Sequence, residues 1–215
     1  HEQDKVVNRW PAAERFILDQ GLNERFGPKS GKVGLVCLGG MYNSTIRALQ
    51  RLGLADVSGQ TDVPLYVLNV AYPLVQSDLL QFCEGKEAVL MIEEGQPEFI
   101  EQQLGAMLHK SGYETRLEGK GIFPKAGEYT GEVLMEGLAA FLRSHAGDLL
   151  PDQLRAPNTP PPQIPDLSQT VPIRPPGFCT GCPERPIFAA MKLVQEELGQ
   201  HQISADIGCH LFASL

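Results

Sequence analysis

Between Lys32 and Arg143 two kinds of apolar pattern take turns along the chain. Val33-Gly34-Leu35-Val36-Cys37-Leu38 is an apolar run ending in Gly39-Gly40, as a strand buried on both faces of a parallel sheet would be. Ile46, Leu49 and Leu52 then recur at helical spacing before Gly53, with Asn43 or Ser44 placed to cap the helix. The alternation repeats. Residues 65–70 predict a strand, 77–82 a short capped helix, 88–92 another strand and 97–108 a longer helix. Residues 113–117 would add an edge strand, and 130–143 a closing helix with Val133, Leu134, Leu138, Phe141 and Leu142 facing inward. Strands alternating with helices imply an α/β fold, a parallel-rich sheet covered on both faces. This domain is expected to span residues 31–150 with four or five strands.

The flanks read differently. Residues 1–30 resemble an arriving segment, with a helix over 11–26 that starts at Pro11, a residue suited to a first turn, and carries Ala13, Phe16, Ile17 and Leu22. That apolar face would pack on the following domain or on one upstream. From Pro151 to Pro176 stand nine of the chain's 17 prolines, so residues 151–176 are expected to run extended as a linker, without ladders or helices. Residues 177–215 predict a helix over 186–198 and a strand-like piece over 202–207. Such a short stretch seldom supports its own core, so it is expected to open a larger second domain, the chain being an internal piece of a longer protein.

Composition narrows the function. In 215 residues 42% are hydrophobic, enough for a packed core. No apolar run reaches the length of a membrane span and the charged start is no secretory signal, so a cytoplasmic protein without membrane contact is expected. A net charge of -8 argues against a nucleic-acid surface. Five cysteines without a secretory signal favour reduced thiols or a metal site over disulfides. Cys37 and Cys83, in apolar settings, read as small buried hydrophobes.

The remaining three cysteines carry the candidate chemistry. Phe178-Cys179-Thr180-Gly181-Cys182-Pro183 is a C-x2-C turn, and Cys209 follows in Ser204-Ala205-Asp206-Ile207-Gly208-Cys209-His210. Two sulfurs on one tight turn can face a single metal or cluster, with Gly181 letting backbone amides approach them. A glycine-bearing turn after a strand is also where α/β sheets hold cofactors. Thiolates suit iron–sulfur clusters, zinc or copper(I); a redox pair, a structural zinc completed by His210, and three unrelated thiols stay open beside a cluster site lacking its fourth ligand. Glu93, Glu94 and Glu98 could be paired acid/base carboxylates, but they fit better as a strand end and the first turn of the next helix, where negative charge is favourable. His109 falls late in that helix and carries no assigned role.

Cys179-Thr180-Gly181-Cys182 and Asp206-Ile207-Gly208-Cys209 resemble the opening of the thiamine-diphosphate-binding domain of the 2-oxoacid:ferredoxin oxidoreductases, and Pro175-Pro176-Gly177-Phe178-Cys179 through Pro183 is closer to the indolepyruvate branch. Gly39-Gly40-Met41-Tyr42-Asn43, Leu68-Asn69-Val70-Ala71-Tyr72-Pro73, Glu93-Glu94-Gly95-Gln96-Pro97-Glu98 and Gly127-Glu128-Tyr129-Thr130 resemble that family's transketolase C-terminal-like domain. The resemblance implies that residues 1–30 leave a pyrimidine-binding domain and that a truncated thiamine-diphosphate-binding α/β domain opens at residue 177. It also implies oxidative decarboxylation of an indolepyruvate-like 2-oxoacid to its acyl-coenzyme A, with electrons passed to ferredoxin, in a homo-oligomer. Cys179, Cys182 and Cys209 would ligate a [4Fe-4S] cluster, and Gly208, Cys209 and His210 would lie beside thiamine diphosphate. The family's Gly-Asp-Gly magnesium signature is absent, so Mg2+ and most of the diphosphate would be held elsewhere. No residue here is assigned a catalytic role, and this piece is expected to be inactive by itself. A zinc-stapled assembly module and a thiamine enzyme without a cluster are the alternatives.

Overall fold

The apolar runs at residues 33–38, 65–68 and 88–92 pair side by side. In the computed structural model, which describes residues 1–156, 170–171, 177–200, 202 and 208–209, β2 (Val33–Leu38) lies between β3 (Leu65–Leu68) and β4 (Ala88–Ile92), parallel to both. Leu35 registers with Leu65 on one side and Leu90 on the other. β5 (Arg116–Glu118) adds in parallel to β4, and β1 (Glu24–Phe26) adds antiparallel to β3, giving the order β1-β3-β2-β4-β5. The chain divides into two units, His1–Ile164 and Pro165–Leu215.

Alternate side chains of each strand leave on opposite faces, and the core divides accordingly. Val33, Leu35, Cys37, Leu65, Val67, Leu90 and Ile92 pack with residues of α3 (Tyr42–Arg51) and α6 (Gly131–His145). Val36, Tyr66, Leu68, Val89 and Met91 pack with residues of α4 (Gln76–Cys83) and α5 (Phe99–Lys110). Each leucine buried in either layer contributes about 1.5–3 kcal/mol. In α6, Leu134, Leu138, Phe141 and Leu142 are buried and Val133 packs at the margin, as its spacing predicts.

β2 and β4 coincide with their expected spans; elsewhere the structure revises the reading. The expected helix over 11–26 is shorter. A three-residue α1 (Glu2–Asp4) passes through a π-helical turn, Lys5–Arg9, into α2 (Trp10–Asp19). Gly21 ends the helix at φ +57, its amide donating to the Leu18 carbonyl while Leu22 donates to Ile17, a glycine-terminated stop that leaves Glu24–Phe26 free to form β1. Of α2 only Ile17 is buried; Phe16 remains exposed.

The two expected side-chain caps are absent. A 3-10 turn, Gly39–Met41, winds directly into α3, so Asn43 and Ser44 fall within its first turn. Gly39 lets the chain pass close to Asn69: a Cβ there would stand 2.6 Å from the Asn69 side-chain oxygen, which would have to move. α4 likewise starts after Val75 without a side-chain cap. Beyond Leu68 the chain leaves the ladder: the Val70 N–H donates to Asn23 Oδ1 at 2.9 Å, and the Asn69 side-chain Nδ2 donates to the Leu22 carbonyl at 2.9 Å and to the Glu24 carboxylate at 2.8 Å.

Residues 151–176 are not wholly extended either. Pro151 precedes a one-turn helix, α7 (Asp152–Arg155), with Arg155 paired to Asp152 at 2.7 Å and Leu154 buried in the first core layer. Proline preceding a helix costs no intrahelical bond, which is why its abundance did not forbid this turn. Residues 157–169 and 172–176 of the predicted linker, and 203–207 of the strand-like piece, lie outside the described residues. In the second unit α8 (Arg185–Leu198) starts one residue before its expected span, with Phe188 stacked on Phe178 at 5.4 Å.

Candidate functional site

The second unit holds the thiol turn. The Cys182 N–H donates to the Cys179 carbonyl at 3.1 Å, closing a four-residue turn. Gly181 occupies its third position at φ +72, the left-handed value a type II turn requires there. No atom of the described residues lies within 4 Å of where a Gly181 Cβ would stand, so among them one side of the turn is open. Three residues on, α8 begins, and Arg185 Nη2 donates back to the Phe178 carbonyl at 3.3 Å. Cys179 is exposed; Cys182 and Cys209 are partly exposed.

Cys209 is drawn into the same neighbourhood. Its thiol is held above the ordinary cysteine value by partial desolvation, by the charge and hydrogen bonding of Glu184, and by the neighbouring Cys182 and Cys179 thiols. Glu184, Cys182 and Cys179 thus all lie near Cys209. Among the described residues no three His, Cys, Asp or Glu side chains stand at metal-ligand spacing. Gly208 lies with Cys209 in an exposed turn, and His210 falls outside the described residues. Glu184 was missed from sequence; its position two residues after Cys182 was the available signal.

The carboxyl ends of the parallel strands in the first unit form a second polar region. Glu93, directly after β4 and 6% exposed, accepts the Ile100 N–H at 3.1 Å and the Glu101 N–H at 2.9 Å. It therefore caps α5 from seven residues away, where the helix dipole favours negative charge. Glu94 accepts the Tyr129 N–H at 3.1 Å, and the buried Lys120 donates to the Tyr129 hydroxyl at 2.7 Å. These are structural partnerships, in keeping with the expected strand-end and first-turn roles of Glu93 and Glu94. Glu98, at the start of α5, has its carboxyl held below the usual range, chiefly by its own backbone N–H. An open depression of about 540 Å³ lined by Leu38, Gly40, Ser44, Glu94, Glu128 and Thr130 sits here, at the crevice where chain order reverses across the sheet.

The model of one family, the indolepyruvate oxidoreductase domain, matches residues 23–141 of the 215. The chain belongs to this family. The matched stretch opens at β1 and runs into α6, so it includes the antiparallel edge strand. Family members covering more of the chain include the indolepyruvate oxidoreductase subunit IorA of Methanothermobacter marburgensis, 28% identical over 97% of this chain and 30% of its own length. The IorA subunit of Thermococcus kodakarensis is 30% identical over 88% of this chain and 27% of its own, and that of Archaeoglobus fulgidus 28% identical over 96% and 29%. The chain thus spans less than a third of the length of these relatives. No helix among the described residues is long and apolar enough to cross a membrane.

Proposed function

We propose that this chain forms part of a thiamine-diphosphate-dependent oxidoreductase that converts an indolepyruvate-like 2-oxoacid to its acyl-coenzyme A and passes electrons to ferredoxin. In this reading the first unit is the transketolase C-terminal-like domain, a scaffold without chemistry of its own, and the second opens the diphosphate-binding domain of a cytoplasmic homo-oligomer. The observation that carries the cluster assignment is the nearness of Cys179 and Cys182 to Cys209 beside the open turn at Gly181. The donors suit it, because thiolates are the ligands iron–sulfur clusters take.

Cys179, Cys182 and Cys209 would hold the [4Fe-4S] cluster, with Gly208, Cys209 and His210 beside thiamine diphosphate. When bound, thiamine diphosphate with Mg2+ supplies carbanion stabilisation and the cluster single-electron transfer. The chain's own part is to fix the spacing of two sulfurs through the Cys179–Cys182 turn and to leave the Gly181 face clear for a bulky inorganic group. Glu184 limits the ionisation of Cys209 until a cation offsets its charge.

Metal and acid-labile sulfide analysis of anaerobically purified protein tests this. The expected result is about four iron and four sulfide per chain, lost in Cys179→Ser. Stoichiometric zinc without sulfide would replace the cluster by a zinc-stapled module. Absence of any metal would leave a thiamine enzyme without a cluster.

A further inference from the structure

The opposite end of the sheet carries a different kind of cavity. A space of about 380 Å³ lies between the turn that follows β1 and the last turn of α4, lined by Arg25, Phe26, Pro28, Lys29, Gln81 and Phe82 together with Gly27. Two cations and a side-chain amide line it and no carboxylate does, in a chain with 26 acidic against 18 basic residues. The volume lies within the range of small-ligand sites.

The walls are fixed in advance. Gly27 sits at φ +78, and a Cβ there would stand 2.7 and 2.8 Å from the Thr61 and Val63 carbonyls, so the turn is pressed against that segment. Phe26 packs on Tyr42 at 4.9 Å between ring centres and Phe82 on Tyr66 at 5.4 Å. Among the described residues Arg25 is held through Nη2, which donates to the Asp78 carboxylate and, at 3.0 Å each, to the Asp78 carbonyl and Gln81 Oε1. Its Nη1 and Nε stand outside those bonds. Side chains already ordered lose little further freedom when a ligand arrives.

Next to the cavity lies a cation with no carboxylate partner among the described residues. Lys86 is 6% exposed, donates to the Phe82 carbonyl at 2.5 Å and sits 4.5 Å from the Phe82 ring centre. Its ammonium is disfavoured first by burial; Cys83 acts the other way, and the Arg25 charge adds a smaller push in the same direction as burial.

From these features we infer that the cavity between the β1–β2 turn and α4 binds an aromatic carboxylate, the carboxylate on Arg25 and Lys29 and the ring against Phe26, Pro28 and Phe82. Guanidinium forks match carboxylates, and aromatic walls match a flat ring. The site lies at the amino ends of the parallel strands, away from the end where α/β folds place catalysis, which suits an accessory ligand. It involves none of the thiols and does not rest on the thiamine reading.

Indole-3-acetate titrated into the chain by isothermal calorimetry, with the lysine ammonium signals followed by NMR, tests this. Saturable binding with a Kd on the order of 1 mM is expected for a ligand of this size. Lys29→Gln, at an exposed position, should weaken it roughly 5-fold or more, and ligand should perturb the Lys86 ammonium signal. Uncharged indole and inorganic phosphate should each bind at least about 10-fold more weakly. Equal binding of indole, equal binding of phosphate, indifference to Lys29→Gln, or no saturation at about 20 mM would each overturn the assignment.

Discussion

The two units hold their cysteines in opposite ways. The first buries the sheet between two apolar layers and keeps its thiols, Cys37 and Cys83, inside them. Burial pushes Cys37 up to about 12 and Cys83 to about 11, which makes both inert near neutrality. The second unit places its cysteines at or near the surface on a turn and leaves Ile187, Leu193 and Leu198 of α8 exposed. The same residue type is packing material in one unit and a candidate ligand in the other. The difference is set by whether an apolar run or a glycine turn surrounds it.

The largest test of that division is Phe141→Ala. Phe141 is fully buried on α6, and its removal should cost about 3–5 kcal/mol in chemical denaturation of the first unit. Thiol accessibility in the second unit should be unchanged; a coupled change would join what the comparison separates.

Alkaline pH should act on the first unit next. Cys37 and Cys83 have folded values above the 9.0 of an ordinary thiol, so their contribution is fully present below about pH 9. Above it the unfolded chain releases protons first, and stability should fall by roughly 1.4 kcal/mol per pH unit for each thiol until the folded value is reached. Cys37→Ala should flatten the decline of the unfolding midpoint between pH 9 and 12.

Glu93→Gln is expected to cost about 1–3 kcal/mol, because it weakens a buried charge-assisted cap. Hydrogen exchange at the Ile100 and Glu101 amides should quicken before the rest of α5 if Glu93 holds that end. Smallest of all, Cys182→Ser should move the first unit's unfolding by less than about 0.5 kcal/mol while removing any iron held by the proposed cluster site.

Much of the first unit was legible because buried parallel strands are unbroken apolar runs, as at 33–38 and 88–92. β1 was not. Glu24-Arg25-Phe26 is too short and polar to show a period, and its identity depends on pairing with residues 65–67 far along the chain. The caps failed for a related reason: Gly39–Met41 takes over the helix start that Asn43 or Ser44 was expected to provide, while Glu93 caps α5 across a seven-residue separation that no local pattern reveals. At the thiol site the C-x2-C spacing announced its turn, whereas the approach of Cys209 and Glu184 is tertiary. The cation-lined cavity was invisible because Arg25 and Gln81 meet only through the sheet.

The Glu93 cap also bears on how this domain can change. Because α5 is anchored to the end of β4 by that carboxylate, residues 94–98 need not set where the helix begins. Lengthening such a loop costs little chain entropy. Gly95, at φ +98 with open space around it, is therefore where an insertion, or a grafted peptide, can be accepted without shifting the register of the helix behind it.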